Sequence, residues 1–393
     1  MPQEILSIII ILLAAKFFGE LAKRIGQPSV LGELIAGVMI GPGMLGWVRE
    51  DQPLLLLGQL GAILLLFEVG LESDLSEFLR VGISAFLVAV IGVAGPFLLG
   101  YLLMLAFGFP AHIAIFVGAT LTATSVGITA RTLKDLRQIN TSEARTILGA
   151  AVIDDVIALI ILAVVGNIAA KNAVSFHYIA GITLLAVLFL SGSIALGIPL
   201  APYLLRYTHR LGSKSLLTIV SIIFSLTLAF VADQLHLAMI VGAFAAGMIL
   251  SRTEDTIHIQ ERIKPLADFL VPIFFVLLGT SVRLSALNPF DSANRMTLLL
   301  VLVLFVVAAV TKIASGLGVL SRGTSRLIVG IGMIPRGEVG LIFASTGLAN
   351  KLITPEIYSA VVAVIALTTF LPPLLLRSLY PKTSEPICEE CPS

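Results

Sequence analysis

Stretches of apolar residues, each about 20 residues long, follow one another along the whole chain and constrain its fold more than any other feature. A helical segment of this length matches the hydrocarbon thickness of a bilayer. Charged residues make up only 12% of the sequence, against about 25% in a soluble domain, and the mean hydropathy is +1.05. The chain is therefore predicted to be an all-α integral membrane protein, because barrel strands would alternate over shorter segments.

Charged and Gly/Pro/Asn-containing loops divide the chain into 13 predicted membrane-spanning segments. The first is interpreted as a retained helix, because it lacks the positive start and the cleavage site of a signal peptide. The segments lie near residues 3–22, 29–47, 53–72, 81–107, 111–133, 142–169, 176–205, 214–232, 236–251, 263–282, 296–320, 325–349 and 354–378.

Orientation follows from the distribution of positive charge, because cytoplasmic loops are enriched in Lys and Arg. With the N-terminus placed outside, 17 of the chain's 25 Lys and Arg residues lie in inner loops and 5 lie in outer loops. Lys16, Lys312 and Arg336 remain inside predicted spans. This asymmetry predicts an external N-terminus and a cytoplasmic C-terminus.

Two of the predicted spans are interrupted by residues that disfavour a continuous helix. The fifth contains Thr122-Ala-Thr-Ser-Val-Gly-Ile-Thr129, and the twelfth contains Gly332-Met-Ile-Pro-Arg-Gly-Glu-Val-Gly340. If 13 spans divide into six, one and six, each interruption falls in the fifth span of its own six. The pattern predicts two inverted six-helix repeats, each with one broken helix at membrane depth.

Two adjacent aspartates, Asp154 and Asp155, lie near the middle of the sixth span, in the stretch GAAVIDDVIALIIL. One ionised residue at the bilayer centre costs roughly 2.5–3.5 kcal/mol, and two neighbouring carboxylates also repel each other. Successive helical residues point about 100° apart, so one carboxylate can face a neighbouring helix while the other faces a cavity. The pair is interpreted as functional; the alternative is that both aspartates only hold helices together.

Lys312 lies deep in the eleventh span, too far from either end to reach water easily. It needs an anionic partner or must lose its proton, and an intramembrane aspartate is the obvious partner. Two roles stay open from the residues alone. Lys312 forms either a permanent structural salt bridge, or an ion pair whose lysine yields its proton when a cation arrives.

Four polar residues in the interrupted spans are assigned by their chemistry. Arg336 and Glu338 are interpreted as structural charges that neutralise half-helix ends, because arginine keeps its proton; the alternative is direct contact with the ion. Thr124 and Ser125 offer hydroxyl or carbonyl oxygens to a small cation, or simply break the helix.

Other polar residues receive less specific interpretations. Glu33 and Glu68 are read as packing between helices, with a funnel for ions as the alternative. Cys388 and Cys391 form a single CxxC in a short polar tail, which supplies only half of a four-ligand zinc site. That tail is too short to fold alone, so no soluble domain is expected after the last span.

The sequence shows no motif of a nucleotide-hydrolysing, nucleophilic or zinc-dependent enzyme. The protein is therefore expected not to be an enzyme and to need no cofactor. Its net charge of +1, without a basic run, gives no reason to expect nucleic acid as a partner.

Four motifs together resemble a known family. ATSVGITAR (Ala123–Arg131), GAAVIDDV (Gly149–Val156), PIFFVLLG (Pro272–Gly279) and PRGEVGLI (Pro335–Ile342) are similar to motifs of bacterial cation/proton antiporters of the NapA type. The likeness runs from the first helix to the last and includes the intramembrane Lys312.

This resemblance implies roles for the charged residues. Asp155 would be the carboxylate that binds Na+ and protons, and Asp154 would be its partner, in a salt bridge with Lys312. The two interruptions would be the family's helix breaks, which cross each other in the membrane. The first is at Thr124 and Ser125, and the second is at Arg336 and Glu338.

For the fold, the resemblance implies a homodimer in which a scaffold stays fixed while a six-helix core carries the ion in an elevator-like motion. In chain order, the implied regions are residues 1–80 (scaffold, spans 1–3), 81–170 (core, spans 4–6), 171–210 (linking span 7), 211–283 (scaffold, spans 8–10), 284–380 (core, spans 11–13) and 381–393 (cytoplasmic tail).

The implied activity is exchange of Na+ or Li+ for protons across a prokaryotic inner membrane. The Asp-Asp pattern with a lysine resembles the electrogenic subgroup, which exchanges two protons for each sodium ion. Potassium-efflux relatives usually carry a soluble C-terminal domain, and the lack of one here favours sodium. The alternatives are K+/H+ exchange, a cation channel with carboxylates in its pore, and a sensory protein built on the same fold.

Overall fold

The computed structural model of the protein describes residues 2–49, 51–73, 82–169, 176–210, 214–235, 237–281, 295–349 and 352–380. These residues form α-helices and one short 3-10 helix, and no β-strand occurs among them. The first seven α-helices are α1 (Pro2–Arg24), α2 (Ser29–Ile40), α3 (Gln52–Glu72), α4 (Gly82–Ala106), α5 (Ala111–Thr120), α6 (Val126–Asp135) and α7 (Ser142–Ala169). The other eight are α8 (Phe176–Arg210), α9 (Lys214–Gln234), α10 (Met239–Leu250), α11 (Thr256–Thr280), α12 (Arg295–Ser315), α13 (Arg326–Gly332), α14 (Glu338–Ala349) and α15 (Pro355–Leu379).

Among the described residues, seven helices are long and apolar enough to cross a membrane, judged by length and composition: α1, α3, α4, α9, α11, α12 and α15. The prediction of an all-α, multi-pass membrane protein is confirmed at this level. The count of 13 spans, their orientation and the inverted repeat stay predictions. The polar tail with Cys388 and Cys391 lies outside the described residues.

Some predicted segments differ from the helices at their ends. The second was predicted at 29–47, but α2 ends at Ile40 because Gly41-Pro42-Gly43 follows, and a proline disfavours helical geometry in the residue before it. The tenth was predicted from residue 263, but α11 already begins at Thr256. The charged first turns of α11 do not resemble a membrane span, and apolarity alone therefore places its start too late.

Both predicted interruptions are breaks between helices. α5 ends at Thr120 and α6 begins at Val126, while α13 ends at Gly332 and α14 begins at Glu338. The breaks are shorter than the sequence predicts, because their last residues already belong to α6 and α14. Pro335 contributes to the second break, since it has no N–H and cannot continue a helical hydrogen-bond ladder.

The two breaks contact each other. The backbone N–H of Ser125 donates to Pro335 O over 2.8 Å, and the Thr129 hydroxyl donates to Gly332 O over 2.6 Å. A buried backbone group without a partner is costly in a membrane. The first break and the start of α6 therefore donate hydrogen bonds to backbone oxygens of the second break and the end of α13.

Contacts divide most of the helices into two groups. The first group contains α1, α2, α3, α9, α10 and α11, which pack extensively on one another. The second group contains α4 to α7 and α12 to α15, and part of its apolar core joins α4, α5, α12, α14 and α15. The main contacts between the groups run from α2 and α3 to α6, and from α2 to α15. α8 contacts α7, α9 and α10.

Glycines allow close backbone contacts within the first group, as small residues commonly do between membrane helices. A methyl group on Gly37 of α2 would collide with α11 at Gly279, and one on Gly247 of α10 would collide with α3 at Gly70. Helices α2 and α10 both have 12 residues. The stretch VLGELIAG of α2 aligns with IVGAFAAG of α10, with glycines at matching places. The contacts made by α2 thus recur for α10 in the second half of the chain.

Candidate ion-binding site

The Lys312 ammonium group lies in the middle of the second group of helices. Its Nζ donates to Thr124 Oγ1 over 2.7 Å and lies 3.5 Å from Asp154 Oδ2. Lys312 and Asp154 are both 0% exposed. A buried charge is tolerated only when it is paired and hydrogen-bonded, and these two contacts satisfy that condition. They join α12 to α7 and to the first break.

Space for the ammonium group comes from a glycine of α4. A methyl group built on Gly92 would lie 3.5 Å from Lys312 Nζ and 3.3 Å from Ser315 Cβ. Gly95 similarly faces Thr311, whose Cβ would be 3.2 Å from an added methyl group. Gly92 is not among the residues predicted from the sequence. Its only signal was a glycine inside a membrane helix, where small residues allow neighbouring helices to approach closely.

The two aspartates occupy different surroundings although they are adjacent. Asp154 contacts Lys312, whereas Asp155 keeps a small exposed fraction of 4%. Asp155 also interacts electrostatically with Lys312. This difference follows from the rotation of about 100° between successive residues of α7, and it leaves Asp155 as the carboxylate nearer to accessible space.

The two polar residues of the first break have different partners. The Thr124 hydroxyl accepts a hydrogen bond from Lys312, so this side chain holds the lysine in place. Ser125 Oγ is buried and has no hydrogen-bond partner among the residues that the structure describes. It faces Gly337 of the second break, where any added methyl group would lie 2.6 Å from this oxygen. A buried hydroxyl oxygen with spare capacity is a suitable ligand for a small hard cation.

Arg336 places a second positive charge beside the site. It lies in the second break and is fully buried, and its guanidinium nitrogens have no hydrogen-bond partner within the described part of the chain. It interacts electrostatically with Asp154, and its backbone oxygen accepts a hydrogen bond from Thr369 of α15. Glu338 is the first residue of α14, and its side chain lies outside what the structure describes.

Comparisons with known proteins support the family resemblance that the sequence motifs indicate. Residues 8–378 match the family described as sodium/hydrogen exchanger, transmembrane. The chain is 40% identical to the high-affinity Na+/H+ antiporter NhaS3 of Synechocystis, covering 96% of this chain and 89% of that protein. It is 37% identical to the Na+/H+-K+ antiporter GerN of Bacillus cereus, over 94% of each chain.

A solved structure has a similar fold. The sodium proton antiporter MjNhaP1 of Methanocaldococcus jannaschii matches with a TM-score of 0.68 at 17% identity, over 96% of this chain and 97% of that one. Such a low identity supports the fold alone. The family match extends over nearly the whole length, and both relatives named above exceed 30% identity over most of both chains. This multi-pass membrane protein belongs to the sodium/hydrogen exchanger family.

Proposed function

We propose that the protein exchanges Na+ for protons across a prokaryotic inner membrane, with Asp155 as the carboxylate that binds both. The observation that carries the proposal is the buried Asp154–Lys312 pair at the place where the two helix breaks meet, with Asp155 beside it. The family membership and the names of the relatives support cation/proton exchange as the activity. Ser125 Oγ would add an oxygen ligand for the ion.

Charge balance explains why cation and protons would occupy the site in turn. The charges of Asp154, Asp155, Lys312 and Arg336 cancel when all four are ionised. A bound Na+ adds a positive charge to a buried region, where excess charge is expensive. Release of a proton from this coupled set restores the balance. Such competition produces obligatory exchange. Release of one proton for each Na+ would be electroneutral, whereas release of one proton from Asp155 and a second from Lys312 would make the exchange electrogenic.

For the motion, we propose that the second group of helices moves as an elevator against the first, within a fold of 13 spans and two inverted repeats. Support comes from the separate packing of the two groups and from the recurring glycine contacts of α2 and α10. A small gap bounded by α3, α10, α6 and α7 has a counterpart bounded by α11, α2, α14 and α15, helices at equivalent places in the two halves. The homodimer and the external N-terminus remain part of this proposal.

The alternative substrate is K+. The relative GerN is named as an antiporter of both Na+ and K+, and its identity to this chain is close to that of NhaS3. Nothing in the carboxylate site by itself discriminates between two monovalent cations, because selectivity depends on the size and rigidity of the cavity.

Transport by proteoliposomes tests this function. We expect an imposed proton gradient to drive Na+ uptake above its external concentration, with the membrane potential held at zero. Parallel assays with Li+ and K+ identify the substrate, and release of the potential clamp reports the charge moved. Sodium that only runs down its own gradient would indicate a channel and contradict the proposal.

Gly92→Ala tests whether the space beside Lys312 serves transport. The added methyl group would crowd the ammonium group and weaken its fit to Thr124 and Asp154. We expect a transport rate about three- to tenfold below wild type, measured with a pH-sensitive dye in proteoliposomes. Gly95→Ala is the matched control, because it lies on the same helix and meets a tighter contact, at 3.2 Å from Thr311 Cβ. The melting temperature of each variant is measured together with its transport rate. If the two variants lose the same amount of transport for the same fall in melting temperature, Gly92 matters only for packing.

A further inference from the structure

The C-terminal half of α6 carries an arginine that contacts the first group of helices. Arg131 Nη2 lies 3.6 Å from Glu33 Oε1 of α2 and 3.3 Å from Ser29 Oγ. Its Nε lies 3.2 Å from Asp135 Oδ1 on α6 itself. Asp135 Oδ2 in turn accepts from Ser29 Oγ over 2.6 Å. Four side chains therefore form one polar cluster that bridges α6 and the start of α2.

A lysine of α6 makes a second bridge, to α3. Lys134 Nζ lies 2.5 Å from Glu68 Oε1 and 3.0 Å from Glu72 Oε1, near the end of α3. The Glu68 side chain is 7% exposed and that of Lys134 is 21% exposed. An ion pair this far removed from water is screened much less than a surface pair.

The same short helix begins at the ion site. α6 has ten residues, and Ser125 directly precedes it in the first break. At 1.5 Å per residue, Lys134 lies about 14 Å along the helix from Ser125. A helix of this length moves as one piece, so a displacement at the break reaches both bridges.

We infer that these ion pairs form a latch that holds the second group of helices against the first and opens once in every transport cycle. The inference rests on the proposed alternating-access motion, because only a movement between the groups breaks bridges that cross between them. Two bridges on one helix hold the described conformation more firmly than either alone. Residues 131 to 135 would then set the balance between conformations rather than bind the ion.

Lys134→Gln tests the latch by removing the second bridge. The variant should favour the conformation in which the two groups are apart at the Lys134 end of α6. The Na+ concentration for half-maximal exchange should then fall on the face of the membrane where the groups separate and rise on the other face. We expect a change of about two- to fivefold on each face, measured in proteoliposomes sorted by orientation. A purely structural role would change stability without this opposite movement.

Charge reversal provides the matched control. Lys134→Glu alone should shift both concentrations further than Lys134→Gln, because it adds repulsion from Glu68 and Glu72. Combining Lys134→Glu with Glu68→Lys restores an opposite pair and should bring both values back towards wild type. A double variant no closer to wild type than the single ones overturns the latch.

A reversible cross-link tests the opening itself. In a background with Cys388→Ser and Cys391→Ser, the pair Ser29→Cys and Asp135→Cys can join the two groups at the latch. Oxidation should stop exchange, and a reductant should restore it.

The control pair lies within the second group, where Thr324 Oγ1 donates to Ser142 Oγ over 3.1 Å. Ser142→Cys with Thr324→Cys should cross-link without stopping exchange. Continued exchange by fully cross-linked Ser29→Cys and Asp135→Cys protein would disprove the latch. The unsubstituted protein is assayed alongside, and its failure to exchange Na+ for protons would instead contradict the proposed function.

Discussion

Asp155→Asn is expected to abolish cation-driven proton movement, down to the level of protein-free liposomes, while the protein stays folded. Asparagine has nearly the same shape as aspartate, so the substitution leaves no cavity in α7. It removes both the negative charge that attracts the cation and the proton that is exchanged for it. The measurement is the decay of an imposed pH gradient on addition of Na+, together with thermal melting and gel filtration of the purified variant.

Asp154→Asn is the matched control for this experiment, because it makes the same chemical change one residue away. The resemblance described above associates the Asp-Asp pattern with a lysine with electrogenic exchange. We therefore expect Asp154→Asn to keep exchange but to lose net charge movement. Normal gradient decay by Asp155→Asn would remove Asp155 from its central role.

Lys312→Ala is expected to destabilise the protein and to reduce the charge moved per cycle. The substitution leaves the fully buried Asp154 without the ammonium group 3.5 Å away, and it empties the space beside Gly92. Removing one partner of a buried ion pair costs about 3–5 kcal/mol. Thermal melting in detergent should show a fall of several degrees, and current recordings on a supported membrane should show less charge transfer.

Combining Lys312→Ala with Asp154→Asn separates the two effects. Without a buried unpaired carboxylate, the double variant should recover most of the lost stability, while charge transfer stays low. If Lys312→Ala alone moves full charge, Lys312 serves only as a structural ion pair. If the double variant is as unstable as the single one, the loss comes from the cavity rather than from Asp154.

Features of the site that depend on a residue's type and on its immediate neighbours in the chain could be predicted from the sequence. Asp154, Asp155 and Lys312 stand out because charged residues in apolar spans are expensive. Pro335 and the polar run near Thr124 indicate the helix breaks, because both disfavour a continuous helix. The adjacency of the two aspartates also predicts their different surroundings.

Features that depend on contacts between distant residues could not be predicted in this way. The sequence offered Thr124 as an ion ligand or a helix breaker, whereas its hydroxyl accepts from Lys312, 188 residues away in sequence. Glu33 and Glu68 were interpreted as packing between helices; the sequence did not show that they form ion pairs with α6. Their partners lie in spans that only the folded chain brings together.

The likeness between α2 and α10 was present in the sequence but was missed. Their shared pattern consists of small residues such as Gly37 and Gly247, which carry little information in a chain with 34 glycines. Its meaning becomes clear when both glycines are found against the backbone of a neighbouring helix. The role of Glu338 stays a prediction, since its side chain is outside the described residues.

The most direct test of the account measures Na+ binding and proton release together in purified protein. Calorimetric titrations at acidic and alkaline pH, in buffers with different ionisation enthalpies, report the affinity and the number of protons released. We expect Na+ to bind more weakly in acid and to displace protons wherever it binds, because both compete for Asp155 and its neighbours. Equal Na+ affinity at both pH values, without proton release, would contradict the account.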